Sequence, residues 1–161
     1  MAHQFFVKNY ELIEHTADTG IRVRGNDLTA LFGNAALAMF DIIAEKNPQA
    51  ASQRAVVCLP IGKAASQRPR VEKIVVKQKA QNVEELFVNW LNELLSLSAT
   101  KEKIFCDFKF KKLDEQNLEA EAAGCDIEDY KVNAEIKAAT YHQLKIEKAE
   151  SGWQAEVIFD V

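Results

Sequence analysis

The chain has 161 residues, 48% of them hydrophobic and 27% charged, the balance of an ordinary globular domain at single-domain length. At this size roughly 68–70% of the unfolded surface can be buried, so no disulfide or metal staple is needed to hold a fold. Lys and Arg number 20 against 24 acids, a formal net charge of −4, and the basic stripe that phosphate neutralisation demands of a stand-alone nucleic-acid binder is not visible.

The first elements are short and sharply bounded. Tyr10 to Ile13 is β-prone, and Ile21-Arg22-Val23-Arg24 alternates apolar and polar with period two, which predicts a half-buried strand. A polar loop, His15 to Thr19, closed by Gly20, joins them. A helix follows, capped by Asn26 or Asp27, with Leu28, Leu31, Phe32, Ala35, Met39, Ile42 and Ile43 on its apolar face. It should stop before Pro48.

Residues 54–59 and 71–79 read as two strands, joined by a basic, Gly/Pro-punctuated surface loop over residues 62–70. The second helix opens on Asn82 and Glu85, a capping-box pair with Asn in place of Ser or Thr. Val83, Leu86, Phe87, Trp90, Leu91, Leu94 and Leu95 then recur at helical spacing, a stripe read as core and assigned no site. Ile104, Cys106, Phe108 and Phe110 form one strand, and Leu118, Ala120 and Ala122 alternate with acids in another.

The chain closes on a predicted long hairpin, residues 135–148 and 153–161. Matching its apolar faces sets Val157 opposite Leu144, Ala155 opposite Ile146 and Glu156 opposite Lys145, through a four-residue turn from Ala149 to Gly152. The same register puts Asp160 opposite Tyr141 on the polar face and His142 opposite Phe159 on the apolar one. His142 there is either a hydrogen-bonded core residue or a ligand. Asp160 is either part of a frayed end or a carboxylate fixed in a sheet that stays apolar through Phe159. The order of elements favours one compact α+β domain over residues 1–161, a largely antiparallel sheet packed with two main helices.

Familiar catalytic motifs are missing. The sequence has no GxGxxG and no HExxH; Gly62-Lys63 is followed by alanine and lacks the upstream glycine of a phosphate loop. Its three histidines come with no nucleophile elbow. Cys58, Cys106 and Cys125 are odd in number and widely spaced, without CxxC or zinc-knuckle spacing. Cys58 and Cys106 sit in apolar runs, where a cysteine is expected to behave as a small buried hydrophobe in a reduced cytoplasm. No signal peptide is read at residues 1–10, and no apolar run approaches the ~20 residues of a membrane span.

His15-Thr16-Ala17-Asp18, followed by Gly20-Ile21 and the Leu31-Phe32 helix, resembles the N-terminal motif of the archease family. The helix around Trp90 resembles the family's second block, and Lys137 to His142 with Gly152-Trp153 to Val161 its third. The resemblance implies a small accessory protein, not itself an enzyme, that helps an RtcB-type RNA ligase become guanylylated and turn over repeatedly in tRNA splicing and RNA repair. It also implies a hard divalent cation, calcium first, with magnesium or another divalent ion possible, held by Asp18, Asp160 and an oxygen of Val161. Such ions take several oxygen ligands. Without the resemblance, Asp18 reads as a loop-capping aspartate. His15, Lys137, Tyr141, His142 and Glu156 become candidate contacts to the ligase, with no direct stable nucleic-acid binding, no membrane partner and a cytoplasmic setting expected.

The sequence departs from the family pattern at Asn133, where a histidine is expected, and at Cys125, where a glutamate is common after Gly124. The basic loop is also longer than usual. Two other readings stand beside the first. One is a chaperone-like modulator of a different RNA-processing enzyme, such as a tRNA methyltransferase. The other is a metal-dependent hydrolase using an Asp18–Asp160 ion to activate water.

Overall fold

The alternation around Ile21 forms a strand that lies beside the chain's last one. The structure is a computed structural model that describes residues 9–14, 17–48 and 71–161. The strand expected over residues 54–59 and the basic loop over residues 62–70 lie outside the described residues, as do His15 and Thr16.

Strands β1 (Tyr10–Glu14) and β2 (Thr19–Gly25) pair antiparallel, and β2 pairs in turn with β9 (Gly152–Asp160). With β8 (Ala138–Ala149) on its far side, this makes a four-stranded sheet of order β1-β2-β9-β8. A second sheet has the order β4-β6-β5, from β4 (Glu72–Lys79), β5 (Lys103–Leu113) and β6 (Asn117–Asp126). Among the described residues two short strands, β3 (Ala44–Lys46) and β7 (Tyr130–Val132), pair only with each other. Every pairing is antiparallel. Among the described residues the expected sheet is divided into three, and strands of three residues are too short to show a period of their own.

Helix α1 (Leu28–Ile43) is capped by Asp27, whose side chain accepts the Ala30 N–H at 2.7 Å. It packs against β2 on one side and β5 on the other. That explains why Ala36, Ala38 and Phe40 are buried along with the predicted stripe. The helix ends ahead of Pro48, and the chain leaves it directly as β3.

Helix α2 (Val83–Lys101) begins as expected, with the Asn82 side chain accepting the Glu85 N–H at 2.8 Å. Glu85 reaches back to the Gln81 N–H at 2.8 Å, one residue earlier than a strict capping box. Its apolar stripe is core: Trp90 is fully buried, meets Phe108 edge-on at 5.4 Å, and donates its indole N–H to the Phe32 carbonyl at 3.1 Å. Emptying such a site by truncation to Ala costs about 3–5 kcal/mol. One continuous cluster joins both helices to both larger sheets, with Phe32, Phe87, Phe105 and Phe159 among its largest buried side chains.

One cysteine departs from expectation. Cys106 is exposed, because a bulge between Phe105 and Asp107 breaks the β5 alternation and turns it out of the core.

Candidate functional site

The β2–β9 ladder determines what lies at one end of the four-stranded sheet. Ile21 faces Val157 and Val23 faces Ala155, all four buried on the helix side. The alternate residues point outward, and there Arg22 faces Glu156. Arg22 Nε donates to Glu156 Oε1 at 2.7 Å, and Nη1 lies 3.3 Å from Glu11 Oε2. Hydrogen bonding to Glu156, its charge and then the Glu11 charge push the guanidinium pKa up from its already high ordinary value. The next outward rung is Gly20 with Ile158, and the last paired rung is Thr19 with Phe159.

Asp18 and Asp160 are the next residues past that rung and share the alternation parity of Arg22 and Glu156. Asp18 is half-buried, while Asp160 and Val161 are exposed. The end of β9 is held on its other side as well. Asp160 pairs with Ala138, and the Lys137 N–H donates to the Asp160 carbonyl at 2.8 Å. Of the two readings left open for Asp160, the fixed carboxylate agrees with this pinning.

The donors here are all oxygen, the chemistry a calcium-like ion prefers, and the exposure leaves room for water to complete the ligand set. Among the described residues no group of three or more His, Cys, Asp or Glu side chains converges as a metal centre. Any ion here would therefore depend on Asp18, Asp160, a Val161 oxygen and water.

The remaining predicted contacts are only partly gathered at this end. Near the turn the hairpin has the expected register, with Lys145 opposite Glu156 and Ile146 opposite Ala155. Beyond it the register shifts, and Thr140 faces Ile158, so that Tyr141, His142, Gln143 and Leu144 together span the single residue Val157. Leu144 is therefore not the simple ladder partner of Val157. Asp160 faces Ala138 rather than Tyr141, and Phe159 faces Ala139 rather than His142.

The bulge carries Gln143 in the left-handed region, at φ 53°. It leaves Tyr141 57% exposed and His142 exposed as well, where the sequence put His142 on the apolar face. His142 is therefore not a buried core residue. Lys137 is exposed beside Asp160. Glu156 is already committed to Arg22, which reduces its value as a partner contact.

Asn92 is the residue that reading the sequence missed. Its amide accepts the Ala139 N–H at 2.8 Å and donates to the Ala139 carbonyl at 3.1 Å, fixing β8 one residue beyond the rung that holds Asp160. An Asn inside so regular a helix was the available signal.

The model of the Archease protein family (MTH1598/TM1083) matches residues 10–161. The chain belongs to the archease family. The archease of Methanosarcina acetivorans is 34% identical over 160 residues, covering 96% of this chain and 97% of the relative. That of Pyrococcus abyssi is 34% identical over 164 residues, covering 96% and 100%. Among solved structures, Methanobacterium thermoautotrophicum protein 1598 superposes with a TM-score of 0.65 at 27% identity, covering 96% of this chain and 100% of that one. An archease from Thermotoga maritima, described as a possible chaperone, superposes with a TM-score of 0.60 at 21% identity, covering 94% and 96%. At that identity it bears on the fold alone. Among the described residues the archease architecture of this chain is two α-helices and antiparallel sheets, with Gly20 and Ile21 paired to Ile158 and Val157 on the β2–β9 ladder. Among the described residues no helix is long and apolar enough to cross a membrane.

Proposed function

We propose that this chain is a cation-binding accessory protein that activates an RtcB-type RNA ligase and performs no catalysis itself. What supports it most is the β2–β9 ladder, whose last paired rung, Thr19 with Phe159, makes Asp18 and Asp160 the next residues on the two strands. Asp18, Asp160 and a Val161 oxygen would hold a hard divalent cation, calcium by preference, with Lys137 exposed beside Asp160 and Tyr141 exposed further along β8. When bound, the ion supplies positive charge that offsets the two carboxylates. The chain's own residues then do the docking: Lys137 offers a cation and Tyr141 an amphipathic ring to a protein surface. The acidic balance suits a protein partner better than RNA.

The ligase would be one that joins a 2′,3′-cyclic phosphate or 3′-phosphate end to a 5′-hydroxyl, with the accessory promoting guanylylation of the enzyme's histidine. The test is a multiple-turnover ligation assay with a purified RtcB-type ligase, GTP and such an RNA, alongside a measurement of guanylylated ligase. Expected are stimulation by the wild-type chain, loss of stimulation with Asp18→Asn, and no ligation or nucleotide hydrolysis by the chain alone. Full stimulation by Asp18→Asn would make any ion structural, and turnover by the isolated chain would overturn the accessory role.

A further inference from the structure

We propose that Cys106 and Cys125 form a dithiol modification site, oxidised to an intramolecular disulfide by a low-molecular-weight disulfide such as oxidised glutathione. The two sulfurs lie 3.4 Å apart on neighbouring strands β5 and β6. Cys106 is the extra residue of the bulge, between the Phe105–Gly124 and Asp107–Ala123 rungs, and Cys125 faces Ile104. The bulge gives Cys106 an exposed position that a straight strand would deny it, so a soluble oxidant can reach the pair.

Packing beside the pair is tight: a Cβ on Gly124 would stand 2.9 Å from Lys103 Cβ, closer than real Cβ contacts come. A disulfide needs an S–S bond of about 2.0 Å, and sulfurs already in contact reach it by side-chain rotation.

The surroundings determine how readily the site reacts. Partial desolvation by its neighbours, although the residue is exposed, followed by the hydrogen bond and charge of Cys125, pushes the Cys106 thiol up to about 11; Lys46 opposes that and Asp107 adds to it. Tyr130 on β7 hydrogen-bonds Cys125, and burial first, then the two cysteines and Asp129, drive its phenol above the ordinary range. Because the thiolate is the nucleophile, a thiol held protonated makes the pair slow near neutrality and faster as pH rises.

The chemistry balances as two exchanges. One protein thiolate attacks a sulfur of RSSR, forming protein–S–S–R and expelling RS⁻, which takes up the released proton. The second protein thiol then attacks the protein-side sulfur and expels the other RS⁻, which takes the second proton. Two protein thiols are oxidised, and one small disulfide is reduced to two thiols.

The test uses the full chain carrying Cys58→Ser, which removes the third cysteine. It is incubated with oxidised glutathione near pH 8.5, about the ordinary cysteine pKa, and read by intact mass and peptide mapping. Expected are a loss of two hydrogens, a Cys106–Cys125 cross-linked peptide, and reversal by dithiothreitol. Adding Cys106→Ser or Cys125→Ser should stop the reaction at a single glutathione adduct. Persistent adducts on both cysteines, a disulfide between chains, or no reaction in the folded chain while the urea-unfolded chain oxidises would each overturn the proposal.

Discussion

The side-chain amide of Asn92 satisfies both outward-facing backbone groups of Ala139, accepting its N–H at 2.8 Å and donating to its carbonyl at 3.1 Å. Among the described residues β8 is an edge strand, with no neighbouring strand to take those groups. A helix residue thereby sets the position of β8, and through the Ala138–Asp160 pair the end of β9. Asn92→Leu would leave a donor and an acceptor unmet in a part-buried place, with an expected loss of about 2 kcal/mol or more. Asn92→Asp keeps the acceptor and should lose less. Urea unfolding reads both, and amide exchange at Ala139 should quicken in the Leu variant. An unchanged unfolding midpoint in that variant would deny the clamp an energetic role.

The helices and the turn half of the hairpin were legible because they rest on local rules. Asp27 and Asn82 cap as their side chains dictate, and Ile146–Ala155 and Lys145–Glu156 follow from face matching next to a short turn. The bulge over Tyr141 to Leu144 was not legible. Alternation of apolar residues continues through it in the sequence, and nothing local marks Gln143, which is not glycine, as left-handed. That one irregularity misplaced both Tyr141 and His142. Of the site, Asp18 and Asp160 could be named as candidates, but the pairing of β2 with β9 joins residues far apart in the chain, which no local pattern encodes. Asn92 was hidden for the opposite reason: the apolar stripe of α2 explains the helix so fully that its flank drew no notice.

Glu102 ends α2 in the left-handed conformation, at φ 54°, with a carboxylate at the negative end of the helix dipole. Both features oppose stability. Glu102→Gly should therefore raise the unfolding free energy by about 1 kcal/mol, while the Glu102 carbonyl still accepts the Ile127 N–H. Urea denaturation at fixed pH is the check, and a destabilised variant would contradict this reading of the cap.

Asp114 organises the β5–β6 turn, where one carboxylate oxygen accepts the backbone N–H groups of Gln116 and Asn117, each at 2.8 Å. Those two bonds, followed by the Asn117 side chain, hold its pKa below the ordinary 3.8. A pKa depressed by folding adds stability above the unfolded value, and this is lost as pH falls through the folded one. The carboxyl resonance of Asp114 should accordingly titrate below 3.8 in an NMR pH series. In Asp114→Asn, this part of the acid-side decline in stability should be missing. A midpoint at or above the ordinary value would refute the turn assignment.

The central claim is that Asp18 and Asp160 hold a divalent cation together, and calcium titration by calorimetry tests it most directly. Outer-shell changes typically cost about 10–100-fold in metal affinity, so losing a liganding carboxylate should cost at least that. The wild-type chain should give a saturable single-site isotherm. Asp18→Asn and Asp160→Asn should each abolish it with the circular dichroism spectrum unchanged, and deletion of Val161 should weaken it less. Wild-type affinity in both Asn variants, or no saturable heat from the wild-type chain, would contradict the claim.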